Sequence, residues 1–239
     1  MILGIDTSAG QCAVALLAGG RVAASAAETL SRGHAERLFP MIETVLERAG
    51  IGPSGLGRIA VCTGPGSFTG LRVGVAAARG LALGRGVPAI GVTRLEAVAA
   101  GVVRPLRPPA PSGREDHGGS RPRRLEDKVG WAETRPVAVA LAGRGSVFLQ
   151  RFGPDLAPLA PPAVVHPETL SAVENRDVRL GDGWAVAGLA AELAPEGLAD
   201  PASVAAIAAG RAPGALPAPL YLREADADLP SEAPPVLLD

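Results

Sequence analysis

Aromatic residues make up only 3% of this chain of 239 residues, although 47% of its residues are hydrophobic. The apolar side chains are mostly those of Ala, Leu and Val, so we expect a core built from small and branched side chains with few rings. A chain of this length can bury a substantial core, either as one large domain or as two smaller lobes.

Net charge is also nearly absent. Lys and Arg together number 23 and Asp and Glu number 24, which gives a formal charge of −1. A balanced chain of this kind has no general attraction to nucleic acid or to anionic lipid. Lysine occurs once, at Lys128, and we attribute this bias toward arginine to a GC-rich genome.

Long uncharged hydrophobic runs are missing too. The longest candidates are interrupted by Arg72, Arg79 and Arg85, and none approaches the ~18 residues that a membrane span needs. The first residues, MILGID, reach the carboxylate of Asp6 without a preceding basic segment, which argues against a signal peptide. We therefore expect a cytoplasmic protein without a membrane partner.

Cysteine and histidine are scarce, with two and three residues respectively. Cys12 and Cys62 lie in apolar, strand-like segments, which favours buried free thiols in a reducing compartment, with one disulfide as the alternative. His34, His117 and His166 do not have the spacing of metal ligands. The sequence therefore predicts no metal site.

Hydrophobic patterning predicts the order β-β-β-α-β-α-β-α over about the first hundred residues. Gly19-Gly20 between two apolar runs is typical of a tight hairpin. Three antiparallel strands followed by βαβ crossovers predict a mixed sheet with helices on its faces. The predicted strands are 1–6, 11–18, 21–29, 58–62 and 87–92, and the predicted helices are 34–49, 69–84 and 94–101.

The second half of the chain carries weaker signals. A hairpin is predicted over 136–142 and 145–152, followed by helical candidates at 167–175, 184–194 and 201–211. Residues 104–124 hold five prolines and six arginines against two carboxylates, for a local charge of +4; this composition favours a solvated linker. The predicted organisation is an N-terminal lobe at 1–103, a flexible insertion at 104–135, a C-terminal lobe at 136–223 and a disordered tail at 224–239.

The segment GPGSFTG at 64–70 follows a predicted strand and precedes a predicted helix. Free backbone N–H groups and a helix N-terminus can bind an anion there. The segment matches neither a Walker A loop nor GxGxxG, so a tight turn with Ser67 or Thr69 capping the helix is the favoured interpretation. No His and Asp pattern accompanies Ser67, so no catalytic residue is predicted. The candidate phosphate-binding residues are Asp6, Thr7, Gly64, Gly66 and Ser67.

The helix that follows carries small residues at every fourth position, namely Gly70, Gly74, Ala78 and Ala82. An internal helical glycine costs about 1 kcal/mol relative to alanine. A helix that accepts this cost usually needs a close backbone approach, either to its own sheet or to a helix of another chain.

Three segments resemble the TsaB (YeaZ) family: MILGIDTS at 1–8, SRGHAERLFPMIETVL at 31–46 and TGPGSFTGLRVGVAAARGLALGRGVPAIGVTRLEA at 63–97. The sequence PLYLR at 219–223 is similar to the family's C-terminal signature. The resemblance is strong over about the first hundred residues and faint over 136–223.

This resemblance implies an α/β, actin-like or hexokinase-like (ASKHA) fold of two lobes with mixed sheets flanked by helices. It also implies a non-catalytic subunit that pairs with TsaD and with the ATPase TsaE in placing threonylcarbamoyl on the tRNA adenosine next to the anticodon. Transfer RNA would be bound through the complex, and no cofactor is expected. TsaD-like sequences carry an HxxxH metal motif where this chain has Arg94 and Val98, which offer no lone pair to a metal.

We predict that helices 34–49 and 69–84 form the surface that pairs with TsaD or, without it, with a second copy of the chain. An ATP-binding enzyme that acts in its own inter-lobe cleft is the alternative. A protease has no support from the residues, and a direct tRNA contact through 104–124 is a minor option. The predicted interface residues are Leu38, Ile42, Leu46, Gly70, Leu71, Gly74, Val75 and Ala78.

Overall fold

The computed structural model describes residues 1–103, 135–143, 145–173, 176–194 and 196–222. The predicted insertion up to residue 134, the tail at 224–239 and Arg223 of the PLYLR segment lie outside the described residues.

The N-terminal lobe is built on a five-stranded mixed sheet with the order β3-β2-β1-β4-β5. The first three strands form an antiparallel meander, and β4 and β5 run parallel to β1, so the predicted mixed sheet is confirmed. Gly19 and Gly20 adopt φ of 55° and 79° in the predicted hairpin turn. The strands are β1 (Ile2–Ala9), β2 (Gln11–Ala18), β3 (Arg21–Thr29), β4 (Arg58–Cys62) and β5 (Ala89–Val92).

Helices α1 (His34–Arg48) and α2 (Phe68–Arg85) pack against the first sheet, as the apolar periodicity predicted. Their inner side chains join those of β1, β2 and β4 in one aliphatic core that contains no aromatic side chain among its buried members. Helix α3 (Arg94–Val103) leads toward the second lobe and packs on its first strand.

The second lobe holds a four-stranded sheet with the order β8-β7-β6-β9. The predicted hairpin is confirmed as β6 and β7, whereas β8 and β9 are three-residue strands that carry no periodic signal. The helical candidate at 167–175 forms a shorter 3₁₀ helix at Pro167–Ala172 and not an α-helix. The strands are β6 (Val137–Ala142), β7 (Val147–Phe152), β8 (Ala163–Val165) and β9 (Val178–Leu180).

The helix predicted at 184–194 is also wrong in its length. It ends after one turn as α4 (Gly183–Val186), and Gly188 follows at a φ of 71°. Leu193 then forms an isolated parallel bridge with Leu180, which draws this segment to the edge of the second sheet. The apolar residues at 184–194 therefore pack against the second sheet and do not form one face of a long helix.

The last helix, α5 (Pro201–Ala209), returns to the first lobe and packs on β1, β2 and β4. Gly4 of β1 lies so close to the carbonyl oxygen of Pro201 that no side chain could stand between them. Beyond the helix, the backbone N–H of Leu220 donates to the carbonyl oxygen of Thr63 at 2.7 Å. The part of the chain from α5 to residue 222 thus packs with the N-terminal lobe, although the prediction assigned it to the C-terminal one.

Candidate functional site

The end of β1 carries three polar residues, Asp6, Thr7 and Ser8, that are fully buried. The Asp6 carboxylate accepts hydrogen bonds from the backbone N–H of Ser8 at 2.9 Å and from its hydroxyl at 2.6 Å. It also accepts from the Gln11 amide at 2.9 Å, and the same amide donates to the carbonyl oxygen of Ala199 at 2.7 Å. These four hydrogen bonds pair the buried polar groups of Asp6, Ser8 and Gln11 within the chain itself.

The predicted phosphate loop lies directly over this strand end. The backbone N–H of Ser67 donates to the carbonyl oxygen of Ser8 at 2.7 Å, and the Ser67 hydroxyl accepts from the backbone N–H of Gly70 at 3.3 Å. Ser67 is therefore the N-cap of α2, as the turn interpretation predicted. The candidate residues Asp6, Thr7 and Ser67 come together here, but their polar groups are bonded to Ser8, Gln11 and Gly70 of the same chain.

The surroundings of Gly70 and Gly74, and of Gly66 in the preceding loop, explain why small residues are needed at the start of α2. A Cβ at Gly66 would collide with the carbonyl oxygen of Ser8, and one at Gly70 or Gly74 would collide with Thr7. The Thr7 hydroxyl donates to the carbonyl oxygen of Gly70 at 2.7 Å. The close approach that the glycines permit is thus to the chain's own strand β1 and not to another chain.

Arg94 and Val98, which the resemblance aligns with a metal motif, are buried. Arg94 is 5% exposed, and its Nε donates to the carbonyl oxygen of Gly197 at 2.9 Å, while Val98 packs in the core of the second lobe. The guanidinium thus ties α3 to the loop before α5. Among the described residues, no group of three or more His, Cys, Asp or Glu side chains could hold a metal ion.

Both cysteines are free and buried, so the thiol interpretation is confirmed and the disulfide alternative is wrong. Burial raises the pKa of Cys12 to about 11, with a further contribution from the charge of Asp6. Burial also raises the pKa of Cys62 well above the range of an ordinary thiol, and its thiol donates to the Ser8 hydroxyl at 3.4 Å. Neither cysteine has the thiolate character of a nucleophile.

The eight predicted interface residues do not lie on the surface, and this part of the prediction requires correction. All are buried, and the six with side chains beyond Cα are exposed by at most 5%. They face β1, β2 and β4 because helical periodicity identifies an apolar face without saying which neighbour covers it. The residues are Leu38, Ile42, Leu46, Gly70, Leu71, Gly74, Val75 and Ala78.

A different set of residues forms the apolar surface that these helices leave open. It is a groove of about 670 Å³ between α1 and α2, which we call the α1–α2 groove. Phe39 projects beside it with 48% of its surface exposed. The sequence carried a signal for this surface, since α2 is apolar or small on its outer side as well as on its inner side. The lining residues are Ala35, Phe39, Val73, Ala76, Ala77, Gly80, Leu81, Gly84 and Arg85.

The apolar surface continues along α2 beyond the groove. Leu83 is 86% exposed, and together with Val87 and Leu216 it lines a second depression of about 410 Å³ that shares Gly80 with the groove. Contiguous exposed apolar surface of this kind marks an interaction site in a folded protein. Leu216 comes from the segment after α5, so local sequence patterns could not place it there.

Two lobes with mixed sheets flanked by helices define an α/β protein with an apolar groove on its N-terminal lobe. A crystal structure from Pseudomonas aeruginosa, described as similar to peptidase YEAZ, matches with a TM-score of 0.71 at 27% identity. The match covers 93% of this chain and 99% of that one. A second P. aeruginosa structure, named YeaZ, has a TM-score of 0.65 at 26% identity, with 87% and 90% covered.

Sequence comparison identifies the family. The Escherichia coli tRNA threonylcarbamoyladenosine biosynthesis protein TsaB is 32% identical over 192 residues, which cover 77% of this chain and 71% of that protein. The Haemophilus influenzae protein of the same name is 42% identical over 98 residues, 41% of each chain. The family profile described as TsaD, tRNA N6-adenosine threonylcarbamoyltransferase, matches residues 22–115. The chain belongs to the TsaB family.

Within the part of the chain that the structure describes, every helix is too short or too polar to cross a lipid bilayer.

The packing of α2 on β1 can be tested by two matched glycine substitutions. We expect Gly70→Ala to lower the free energy of unfolding by about 1–3 kcal/mol, because the new methyl group overpacks the contact with the Thr7 carbonyl. Gly80→Ala is the control: nothing lies within 4 Å of its Cβ, and we expect a gain of up to ~1 kcal/mol from helix propensity. Urea denaturation measures both, and equal effects would contradict the backbone contact.

Proposed function

We propose that this chain is a non-catalytic subunit in the biosynthesis of tRNA threonylcarbamoyladenosine and that it pairs with TsaD through the α1–α2 groove. The observation that carries the proposal is the open apolar groove itself. It lies within the segment that also matches the profile of the transferase family. Two related lobes that present the same pair of helices can meet about a pseudo-twofold axis, as paralogous subunits often do.

The shape of the groove suits a helical partner. Ala76, Gly80 and Gly84 place no large side chain on the outer surface of α2, so the axis of a partner helix can approach closely. Phe39 lines the groove and Leu83 lines the adjoining depression, and both are large apolar side chains with about half or more of their surface exposed in the free chain. Covering such surface contributes about 25 cal/mol per Å² of apolar area.

The absence of catalysis by this chain alone is part of the same proposal. Arg94 and Val98 supply no metal ligand, and the Asp6 carboxylate is satisfied by Ser8 and Gln11. These contacts favour a non-catalytic role for this chain, with the transfer performed by its partner. In this proposal the assembled complex binds tRNA and also contacts TsaE. When TsaD is missing, the chain forms a homodimer through the groove. The complex acts in the cytoplasm.

A charge placed in the groove tests the pairing. We expect Ala76→Glu to weaken binding to the TsaD of the same organism by at least about tenfold, because a carboxylate would be desolvated against an apolar helix face. Ala76 is exposed, so the fold should be retained. Isothermal titration calorimetry with the purified partner measures the change in Kd.

The matched control for this experiment is Ala185→Glu, which places the same charge on an exposed helical position of the second lobe. Its Kd should equal that of the wild type. Wild-type binding by Ala76→Glu would show that the groove is not the pairing surface.

Nucleotide binding in the inter-lobe cleft is the second candidate function. The convergence of Asp6 and Ser8 with the N-terminus of α2 favours it, whereas the internal hydrogen bonds of these residues oppose it. We expect no binding heat from the isolated chain with Mg·ATP at millimolar concentration. Saturable heat that is lost in Asp6→Asn would contradict the non-catalytic proposal.

A further inference from the structure

A cluster of one arginine and two aromatic side chains lies at the N-terminal end of α2. The guanidinium carbon of Arg72 lies 3.9 Å from the centre of the Phe68 ring, and the Arg72 Nε donates to the Tyr221 hydroxyl at 3.2 Å. The two rings are 5.4 Å apart at an angle of 31°. Two of the seven aromatic residues in this chain thus contact the same arginine.

The cluster is exposed although its three side chains contact one another. Phe68 is 53% and Tyr221 47% exposed, and Arg72 is exposed as well. Phe68 is the first residue of α2, directly after its Ser67 cap, and Tyr221 follows the residue whose N–H bonds to Thr63. Both rings therefore stand on firmly hydrogen-bonded backbone. Exposed aromatic and arginine side chains held in this way are typical of the energetic centres of protein interfaces.

Arg72 has no countercharge in the described part of the chain. No described carboxylate lies within salt-bridge distance of Arg72, and its two terminal nitrogens donate to no acceptor among the described residues. Helix α2 itself contains three arginines and no acidic residue. A planar guanidinium whose Nε edge and one face are already fixed still presents its terminal N–H groups in the geometry that a carboxylate accepts.

The position of Arg72 says which kind of molecule would supply the countercharge. Phe68, Arg72, Ala76 and Gly80 recur at every fourth residue, so the cluster and the α1–α2 groove share one exposed stripe of α2. The surface next to Arg72 along this stripe is apolar, and the following cation, Arg79, lies two turns away, about 10 Å along the axis. A nucleic-acid backbone would need closely spaced cations, whereas an apolar stripe with one charged end fits a protein.

We propose that Arg72, held by Phe68 and Tyr221, is the anchor for a carboxylate of the protein partner that fills the α1–α2 groove. The partner is therefore a chain that presents an apolar helix face with an Asp or Glu side chain opposite the N-terminal end of α2. This inference rests on the proposed pairing function and adds the polar contact that fixes the register of the two helix pairs. Such a contact contributes to the choice of partner as well as to affinity.

Charge reversal at Arg72 tests the anchor. We expect Arg72→Glu to raise the Kd for TsaD at least tenfold, and Arg72→Lys to raise it by a smaller factor because lysine keeps the charge without the planar fork. The Kd of Arg72→Gln should respond less to added salt than that of the wild type. Arg21→Glu is the control, since Arg21 is exposed at the β2–β3 hairpin. Thermal melting confirms that the variants fold.

Charge exchange identifies the carboxylate. Asp and Glu residues on the first two helices of TsaD are changed singly to Arg, and one of these variants should bind Arg72→Glu more tightly than wild-type TsaD does. No such rescue, together with a Kd of Arg72→Glu within twofold of the wild type, overturns the anchor.

Three further outcomes distinguish the anchor from the proposed function and from an RNA contact. If wild-type chain and TsaD do not bind at all, the proposed function fails and the anchor fails with it. If Ala76→Glu disrupts the pair but Arg72→Glu does not, the groove stands and the anchor is wrong. If Arg72→Glu leaves the protein pair intact and weakens binding of tRNA to the complex, the cluster is an RNA contact and the carboxylate proposal is overturned.

Discussion

The contact between the backbone of β1 and the backbone of α2 determines most of what this molecule presents to its surroundings. Gly66, Gly70 and Gly74 allow the helix to lie against Thr7 and Ser8 without an intervening Cβ. The Thr7 hydroxyl and the Ser67 N–H then connect the two elements by hydrogen bonds. The cost of glycine in a helix, about 1 kcal/mol each, is offset by this packing.

This contact affects both the buried end of β1 and the solvent-facing side of α2. Inside, the polar groups at the end of β1 and in the loop before α2 are bonded to each other, so the strand end that could face a ligand is closed by its own chain. Outside, the helix that has already buried Leu71 and Val75 still carries Ala76, Gly80 and Leu83 on its solvent side. A helix that is apolar on both sides needs a second partner, and no described segment of the chain covers its outer side.

The sequence predicted the first lobe well and the second poorly, for identifiable reasons. The glycine pair at the first hairpin, the β-branched strands and the amphipathic α1 are local signals, and the structure agrees with them. The small-residue stripe was recognised, but periodicity left open whether β1 or another chain approached it. The predicted interface residues proved buried because helical periodicity identifies an apolar face without saying whether the chain's own sheet or another chain covers it.

What the sequence could not place depends on contacts between distant segments. Leu216 and Tyr221 reach α2 only because α5 returns to the first sheet, and no pattern in residues 210–222 indicates that return. The strands β8 and β9 are three residues long and are defined by their pairing with β7 and β6 alone. The stacking of Arg72 on Phe68 follows from their spacing of four residues, but Tyr221 completes the cluster from across the fold.

The central claim is that this chain supports the threonylcarbamoyl transfer without performing it. The most direct measurement is the incorporation of labelled threonine into tRNA in a reconstituted reaction that contains the activated threonylcarbamoyl donor, with this chain, TsaD and TsaE combined singly and together. The account predicts no modified adenosine with this chain alone and a marked loss of product when it is omitted from the mixture. Modification of tRNA by the purified chain alone, or full activity without it, would contradict the account.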